Sequence, residues 1–170
     1  RHLNNLKVLF MPWPLIVNEK AKASLIDFVK NGGTLVVESE LDAYTGLGFY
    51  NYAGAGRTLA AAFGLSDAGR RQLNNKNMVF KLGAHELKSD TWITPLNLEG
   101  GKILETDTDG NILAAEKIFG SGKLIALATF CGKAYASEPY EGFEGFAKDT
   151  VDQAGVKSFF EIKREKGASV

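Results

Sequence analysis

The sequence holds a single cysteine, Cys131, and only two histidines, His2 and His85. One cysteine cannot form an internal disulfide, which suits a reducing compartment, so we expect a cytoplasmic protein. These three side chains lack the spacing of metal ligands, and no metal or other cofactor is expected. The apolar runs all fall short of the roughly 18 residues that a membrane span requires, and no signal peptide is visible.

The sequence also lacks an excess of charge of either sign. Its 20 lysines and arginines balance 20 aspartates and glutamates, and its pI is about 6.9. Phosphate backbones are bound by cationic surfaces, so a nucleic acid is not expected as a partner, and the missing apolar run argues against a membrane. With 170 residues the chain is long enough for one sizeable core, and one domain is the default expectation.

What the sequence does contain is a clear helix pattern near its start. The helix can be capped by Asn18, and Gly32 with Gly33 can end it, because glycine adopts the left-handed conformation at little cost. The apolar side chains follow helical spacing, at Ala21, Leu25, Phe28 and Val29.

Apolar runs flank this helix on both sides. They are residues 6–11 and Thr34–Val37, and both are typical of buried strands. Strand, helix and strand in this order predict a parallel pair. The functional loops of a parallel pair follow its carboxyl ends, which here are residues 12–17 and 38–56.

The rest of the chain predicts shorter elements. A short helix, Thr58–Phe63, is ended by Gly64, and residues 67–77 are expected to be irregular or helical. A long helix over residues 140–154 ends at Gly155. Strands are expected at residues 79–82, 92–94, Lys102–Thr106, 111–118 and 124–129, with the hairpin turn Asp109-Gly110 between the third and the fourth.

Two motifs suggest catalysis, and each has a plainer interpretation. Residues 54–56 begin like a dinucleotide-binding loop, but Leu59 stands where a third glycine is required. Cys131 follows a buried strand, as the nucleophile of an amidotransferase would, but Thr129 replaces the usual glycine and a base is not at hand. A small buried cysteine is the plainer interpretation.

Acidic residues offer two further motifs. Glu38 and Glu40 follow the second strand, and their alternation predicts that both lie on one face. Paired acids hydrolyse glycosidic bonds, but acids at strand ends also bind loop backbone, which is the plainer role. Asp107, Asp109 and Asn111 resemble a calcium loop, and a hairpin turn explains them better. No catalytic residue is therefore assigned.

Aromatic side chains are concentrated in the loops expected at the strand ends. With the neighbouring asparagines and glycines they suit either sugar stacking or a protein interface. They also suit a loop that packs on its own core, and the sequence leaves these roles open. The residues are Trp13, Tyr44, Phe49, Tyr50 and Tyr52.

Three segments, taken in order, resemble the central domain of the family 42 beta-galactosidases. The similarity spans residues 6–156. The Gly-Gly-Thr-Leu-Val run that begins at Gly32 also occurs in many domains with the class I glutamine-amidotransferase-like fold. The segments are residues 8–12 with 25–38, residues 54–64 ending in Phe-Gly, and residues 115–127 with 152–156.

The resemblance implies an α/β fold of the flavodoxin-like, class I glutamine-amidotransferase-like kind. This is a three-layer sandwich whose sheet is mostly parallel with added antiparallel strands. Residues 1–156 would form this domain with its N-terminal part missing. Residues 157–170 would be a linker or the start of a C-terminal β domain.

The resemblance also implies a role. In that family this domain has lost its catalytic residues and is called the trimerisation domain, while the catalytic glutamates lie in a preceding (β/α)8 barrel. The implied partners are the chain itself as a homotrimer, the barrel and a carbohydrate. The parent protein would hydrolyse terminal beta-galactosides.

Three functions therefore stay open. The chain is a non-catalytic domain that shapes oligomer and active site, a free-standing amidotransferase-like hydrolase that uses Cys131, or a carbohydrate-binding module. The candidate substrate-facing or interface residues are Trp13, Glu38, Glu40, Tyr44, Tyr50 and Tyr52.

Overall fold

A computed structural model gives the fold and describes residues 3–51, 56–69, 71–73 and 78–157. The helices are α1 (Glu19–Lys30), α2 (Thr58–Phe63), α3 (Cys131–Ser137) and α4 (Glu141–Gln153), with a 3-10 turn at Leu3–Asn5. The strands are β1 (Val8–Met11), β2 (Thr34–Val37), β3 (Leu65–Asp67), β4 (Gln72–Leu73), β5 (Val79–Leu82), β6 (His85–Lys88), β7 (Trp92–Ile93), β8 (Leu96–Leu98), β9 (Lys102–Thr106), β10 (Ile112–Phe119) and β11 (Gly122–Leu127).

The predicted strand–helix–strand unit is confirmed. β1 and β2 pair in parallel, with Phe10 opposite Val36. Asn18 caps α1, since its side chain accepts a hydrogen bond of 2.9 Å from the backbone N–H of Ala21. Every residue of β2 is buried, as its apolar sequence predicts.

The main sheet is mixed rather than mostly parallel, which corrects the expectation. Its spatial order is β1, β2, β11, β10, β9, and only the first two of these four pairings are parallel. The cause is the short connections: β9, β10 and β11 are joined by tight turns, which can link only antiparallel neighbours. The predicted turn at Asp109-Gly110 is one of them.

Helices cover both faces of this sheet, so the predicted three layers are present. Phe10 packs against Phe143 and Phe146 of α4, with ring centroids 6.3 and 6.2 Å apart. The alternate strand residues point to the other face. There Lys117 of β10 donates a 2.9 Å hydrogen bond to the carbonyl of Phe63 in α2, and α1 packs beside α2.

Some elements have no clear signal in the sequence. β6 begins at His85 and pairs with β5. Only Leu87 of that strand is buried, so its alternation of buried and exposed residues is weak. Residues 67–77 were expected to be irregular or helical, yet β4 pairs with β7 there. Residues 158–170, which belong to the segment expected as a linker or the start of a C-terminal β domain, lie outside the described residues.

The β5–β6 hairpin sits directly on α4 because that helix has glycine where the two meet. A Cβ atom on Gly142 would overlap the backbone carbonyl oxygen of Glu86. A Cβ on Gly145 would lie 2.5 Å from Nδ1 of His85. These glycines therefore set the distance between helix and hairpin.

The substitution Gly142→Ala tests this contact. Alanine normally stabilises a helix over glycine by about 1 kcal/mol. Here we expect the opposite sign, a loss of about 2 kcal/mol in the free energy of unfolding, because the clash is with backbone. Urea denaturation measures it. Gly46→Ala is the control, since a Cβ there would meet no atom within 4 Å, and equal effects of the two changes would refute the prediction.

Candidate functional site at the carboxyl ends of the parallel strands

The carboxyl ends of β1, β2 and β11 lie side by side, as the parallel pairing predicts. The loops that follow them hold three non-glycine residues with positive φ: Trp13 at 56°, Glu40 at 56° and Asp42 at 59°. Such backbone is uncommon for these residue types and clusters at functional sites. The fold therefore stores local strain at this end of the sheet.

Glu38 joins two of these loops. It is 4% exposed, and its carboxylate accepts hydrogen bonds from the backbone N–H of Trp13, at 3.0 Å, and of Gly132 at the start of α3. Burial raises the pKa of Glu38 to about 7, although the two backbone N–H groups act in the opposite direction. Glu38 is thus a buried acid poised near neutrality.

Glu40 has a different set of partners. Its two oxygens accept hydrogen bonds of 2.8 and 2.5 Å from Nε and Nη2 of Arg71, and Thr94 donates a third at 2.9 Å. This bidentate pairing is the strongest geometry available to a carboxylate. The guanidinium also lies 3.9 Å from the ring centre of Trp92 and donates to the Tyr44 hydroxyl at 2.9 Å. Arg71 is therefore held on three sides.

Asp42 is the third buried acid of the segment. It lies 2.9 Å from Nζ of Lys22 in α1, and it accepts a 3.2 Å hydrogen bond from the N–H of Leu59 in α2. It is 1% exposed. One carboxylate therefore fixes the positions of two helices relative to the loop.

The candidate aromatics are partly packed and partly exposed. Trp13 packs on Phe130, with centroids 4.4 Å apart, yet it is 41% exposed. Tyr44 and Tyr50 meet edge to face at 5.2 Å. The Tyr50 hydroxyl donates to Asp67 at 3.1 Å, and burial raises the pKa of Tyr50 to about 12. Tyr52 lies outside the described residues.

A cleft of about 350 Å³ opens between these groups. Its walls combine hydroxyl groups, one guanidinium and one carboxylate, which are the groups that hydrogen-bond polar ligands. Sequence reasoning missed Arg71 and Thr94, because neither belongs to a motif and both reach the site from distant segments. The lining residues are Glu40, Tyr44, Tyr50, Gly69, Arg71 and Thr94.

Glu38 and Glu40 do not act as a pair. Glu38 binds the backbone of the β1 loop and of α3, whereas both oxygens of Glu40 are taken by Arg71. Hydrolysis by two acids requires carboxyl groups that face each other across the scissile bond. This arrangement favours the role of holding loops over a role in hydrolysis.

Cys131 is fully buried at the start of α3. Burial raises the pKa of its thiol well above the ordinary range, and the negative charge of Glu38 adds to the effect. A nucleophilic cysteine needs the reverse shift. His85 pairs instead with Asp149 of α4 at 2.7 Å, and His2 lies outside the described residues.

The turn after β9 is closed by its own side chains. Asp107 accepts hydrogen bonds from the N–H groups of Asp109 and Asn111, at 2.9 and 2.8 Å. The hairpin interpretation of these residues is confirmed. Among the residues that the structure describes, none form a cluster suited to a metal ion, and none of the helices there is long and apolar enough to cross a membrane.

The pKa of Glu38 predicts stability that falls as pH rises. The folded protein holds this proton more tightly than the unfolded chain, whose carboxyl keeps the ordinary value of 4.5. The contribution is full below that value and is lost as pH passes about 7. Between about pH 5 and about pH 8 we expect a loss of ~2 kcal/mol in the free energy of unfolding.

Chemical denaturation of the protein and of Glu38→Gln across this range measures the effect. At low pH the variant is expected to be less stable than the unchanged protein, because its amide oxygen can accept from only one of the two backbone N–H groups. Its dependence on pH should be flatter than that of the unchanged protein. Parallel curves for the two proteins would show that Glu38 does not titrate in this way.

Among the comparisons with known proteins, only the one with solved structures finds similar chains. No family model matches the chain, and no curated protein matches it in sequence. It is similar to Gan42B, a GH42 beta-galactosidase from G. stearothermophilus, with a TM-score of 0.75 and 17% identity over 98% of this chain and 24% of the other. For a beta-galactosidase from Bacillus circulans sp. alkalophilus the TM-score is 0.73, with 16% identity over 92% and 24%.

A smaller protein shares the fold as well. A cytoplasmic protein from Salmonella typhimurium LT2 matches with a TM-score of 0.55 and 14% identity, over 87% of this chain and 71% of its own. The chain thus spans about a quarter of the length of the beta-galactosidases that it matches. It has the fold of a domain of the GH42 beta-galactosidases.

Proposed function

We propose that this chain is a non-catalytic domain of a beta-galactosidase-like glycoside hydrolase. The observation that carries the proposal is the coverage: 98% of this chain matches 24% of a GH42 beta-galactosidase. The parent protein would hydrolyse terminal beta-galactosides in the cytoplasm. The catalytic acids would belong to a (β/α)8 domain outside this chain.

The chemistry of the site supports a non-catalytic role. Glu40 and Asp42 are paired with cations, and Glu38 is bound by backbone N–H groups. A buried carboxylate in such pairs stabilises a structure and is not free to move a proton to a substrate. Cys131 is buried with a raised pKa, which argues against the amidotransferase-like alternative.

The loops at this end of the sheet supply a surface for a partner. Leu47 is 85% exposed and Phe49 is 69% exposed, and Ile16 and Trp13 on the β1 loop are also exposed. Exposed apolar side chains that group together mark interaction sites. We propose that these four residues, the apolar loop surface, contact the catalytic domain of the parent or a neighbouring subunit of a homotrimer.

The polar cleft would then face carbohydrate. Tyr44, Tyr50 and Arg71 offer hydroxyl and guanidinium groups that can hydrogen-bond the hydroxyl groups of a sugar, while the ring of Trp92 supports the guanidinium from behind. We also propose that the fold is of the flavodoxin-like, class I glutamine-amidotransferase-like kind. Residues 157–170 would be a linker or the start of a C-terminal β domain.

The likeness to the Salmonella protein favours a second candidate, a free-standing binding module. That protein matches over 71% of its own length, so this fold also occurs in chains of similar size. The aromatic loops and the polar cleft would then bind a carbohydrate without an attached hydrolase. Titration of the 170-residue chain with galactose, followed by the fluorescence of Trp13 and Trp92, tests this candidate. A free-standing module must bind galactose as the chain alone, whereas a cleft that only borders the active site of a parent enzyme need not, so absence of binding by the chain alone would exclude the second candidate.

The double substitution Leu47→Ser with Phe49→Ser tests the proposed interface in the full-length protein. Both side chains are exposed, so we expect the chain to keep its own stability within about 0.5 kcal/mol. The assembly should dissociate at least tenfold more readily, because burial of these side chains would contribute on the order of 2 kcal/mol or more. Light scattering after size-exclusion chromatography gives the mass, and galactoside hydrolysis gives KM.

Ile118→Ser is the matched control, since Ile118 is 70% exposed on β10, away from these loops. It should change neither the mass nor KM. If the double variant also keeps both values, the apolar loop surface is not an interface and the proposal fails.

A further inference from the structure

A second cavity, of about 180 Å³, lies on the face of the sheet that carries α3 and α4. It is bounded by the ends of β1, β2 and β11 and by one side of each helix. An apolar cavity of about 150 Å³ in another protein is large enough to bind benzene, so this one has room for a single small ring. The lining residues are Phe10, Met11, Pro12, Val36, Glu38, Leu127, Gly132, Tyr135 and Phe143.

Aromatic rings form much of the wall. Tyr135 and Phe143 stack with centroids 5.0 Å apart and ring planes 27° from parallel. Phe143 in turn contacts Phe10 at 6.3 Å. Aromatic rings pack favourably against one another through offset and edge-to-face contacts. The wall is therefore suited to a flat, unsaturated ring more than to an aliphatic one.

The cavity holds one buried charged residue among those that line it. Glu38 is 4% exposed, and each of its oxygens already accepts one backbone N–H, from Trp13 and from Gly132. A carboxylate oxygen has two acceptor positions, so one on each atom is left for a further donor. A ligand with one hydroxyl group can donate to Glu38 while its ring occupies the apolar space.

We propose that this cavity binds a small, uncharged aromatic molecule with a single hydroxyl group, which donates a hydrogen bond to the Glu38 carboxyl. Phenol is the simplest member of this class. The inference goes beyond the proposed function and does not rest on it, because all the lining residues named above belong to this chain.

The same features disfavour other classes of ligand. A sugar would bring several hydroxyl groups into a space with two polar side chains, Glu38 and Tyr135, and the Tyr135 hydroxyl already donates to Glu144 at 3.0 Å. Each hydroxyl of the sugar left unpaired costs free energy. An anion would meet the charge of Glu38, with Asp90 also close enough to raise the pKa of that carboxyl. The described lining includes no lysine or arginine to offset that repulsion.

Glu38 can form the hydrogen bond with the ligand in either of its protonation states. Burial raises its pKa to about 7, so both forms are present near neutral pH. The ionised form accepts from a phenolic hydroxyl, and the protonated form can accept or donate. Binding of a neutral phenol therefore does not require a charged site.

Titration of the ¹⁵N-labelled protein with phenol, followed by amide NMR shifts, tests the proposal. We expect saturable shifts of the Gly132 amide, which donates to Glu38, with a Kd on the order of 1 mM for so small a ligand. Intermolecular NOEs should join the phenol ring to the methyl groups of Met11 and Leu127. Shifts that do not saturate, or the absence of these NOEs, would overturn the proposal.

Three variants sharpen the test. Met11→Trp fills the cavity and should weaken phenol binding at least tenfold, and Glu38→Gln should reduce the preference for phenol over toluene by a similar factor. Ile118→Ser, on an exposed part of β10, should leave the affinity unchanged. Equal affinity in Met11→Trp and the unchanged protein would overturn the site. Tighter binding of cyclohexanol or benzoate than of phenol would overturn the ligand class.

If Met11→Trp does not fold, the NOEs in the unchanged protein still decide the matter. Failure of phenol to bind would leave the interface result untouched, because that experiment measures the assembly of the full-length protein. Conversely, loss of the interface would not alter binding within the cavity. The two proposals are therefore tested separately.

Discussion

The buried acids after β2 are the constraint on which this end of the molecule depends. Glu38 joins the β1 loop to the start of α3, Glu40 fixes Arg71, and Asp42 joins α1 to α2. Backbone groups in the strand-end loops need hydrogen-bond partners outside the sheet. Some come from the neighbouring loop, since the N–H groups of Asp42 and Tyr44 donate to the carbonyls of Pro14 and Leu15. Three successive acids at alternate positions supply acceptors and counter-charges to the loops on either side, and the positive φ at Glu40 and Asp42 is what lets them reach different partners.

The ion pairs of Glu40 and Asp42 select one conformation of the loops more than they add to the free energy of unfolding. Burying an ion pair costs desolvation energy that its attraction only partly offsets, but removing one member leaves an unpaired charge, which is much worse. Arg71 therefore selects the loop conformation that presents Glu40, Tyr44 and Trp92 together. The contacts of Arg71 thus hold the cleft in one arrangement, and such preorganisation favours binding.

The sequence predicts the parts of the fold that local rules control. Asn18 specifies the start of α1 and Asp109-Gly110 a hairpin turn, because each acts on neighbouring backbone. Arg71 is different: it pairs with Glu40 across 31 residues, and nothing in its own segment indicates this. The same holds for the packing of β6 on α4, which depends on glycines in a distant helix. The parts of the site that could not be predicted from the sequence are those set by tertiary contacts between distant segments.

The two cavities at this end of the sheet favour recognition over bond cleavage. A catalytic acid needs an oxygen directed at the substrate, in a site that holds an attacking group nearby. Glu40 has neither, since both oxygens contact Arg71. Glu38 has acceptor positions left, but it lines a mostly apolar cavity with Phe10 and Phe143. The acids that hold the loops are therefore engaged with Arg71 or with loop backbone, which agrees with the binding roles proposed above.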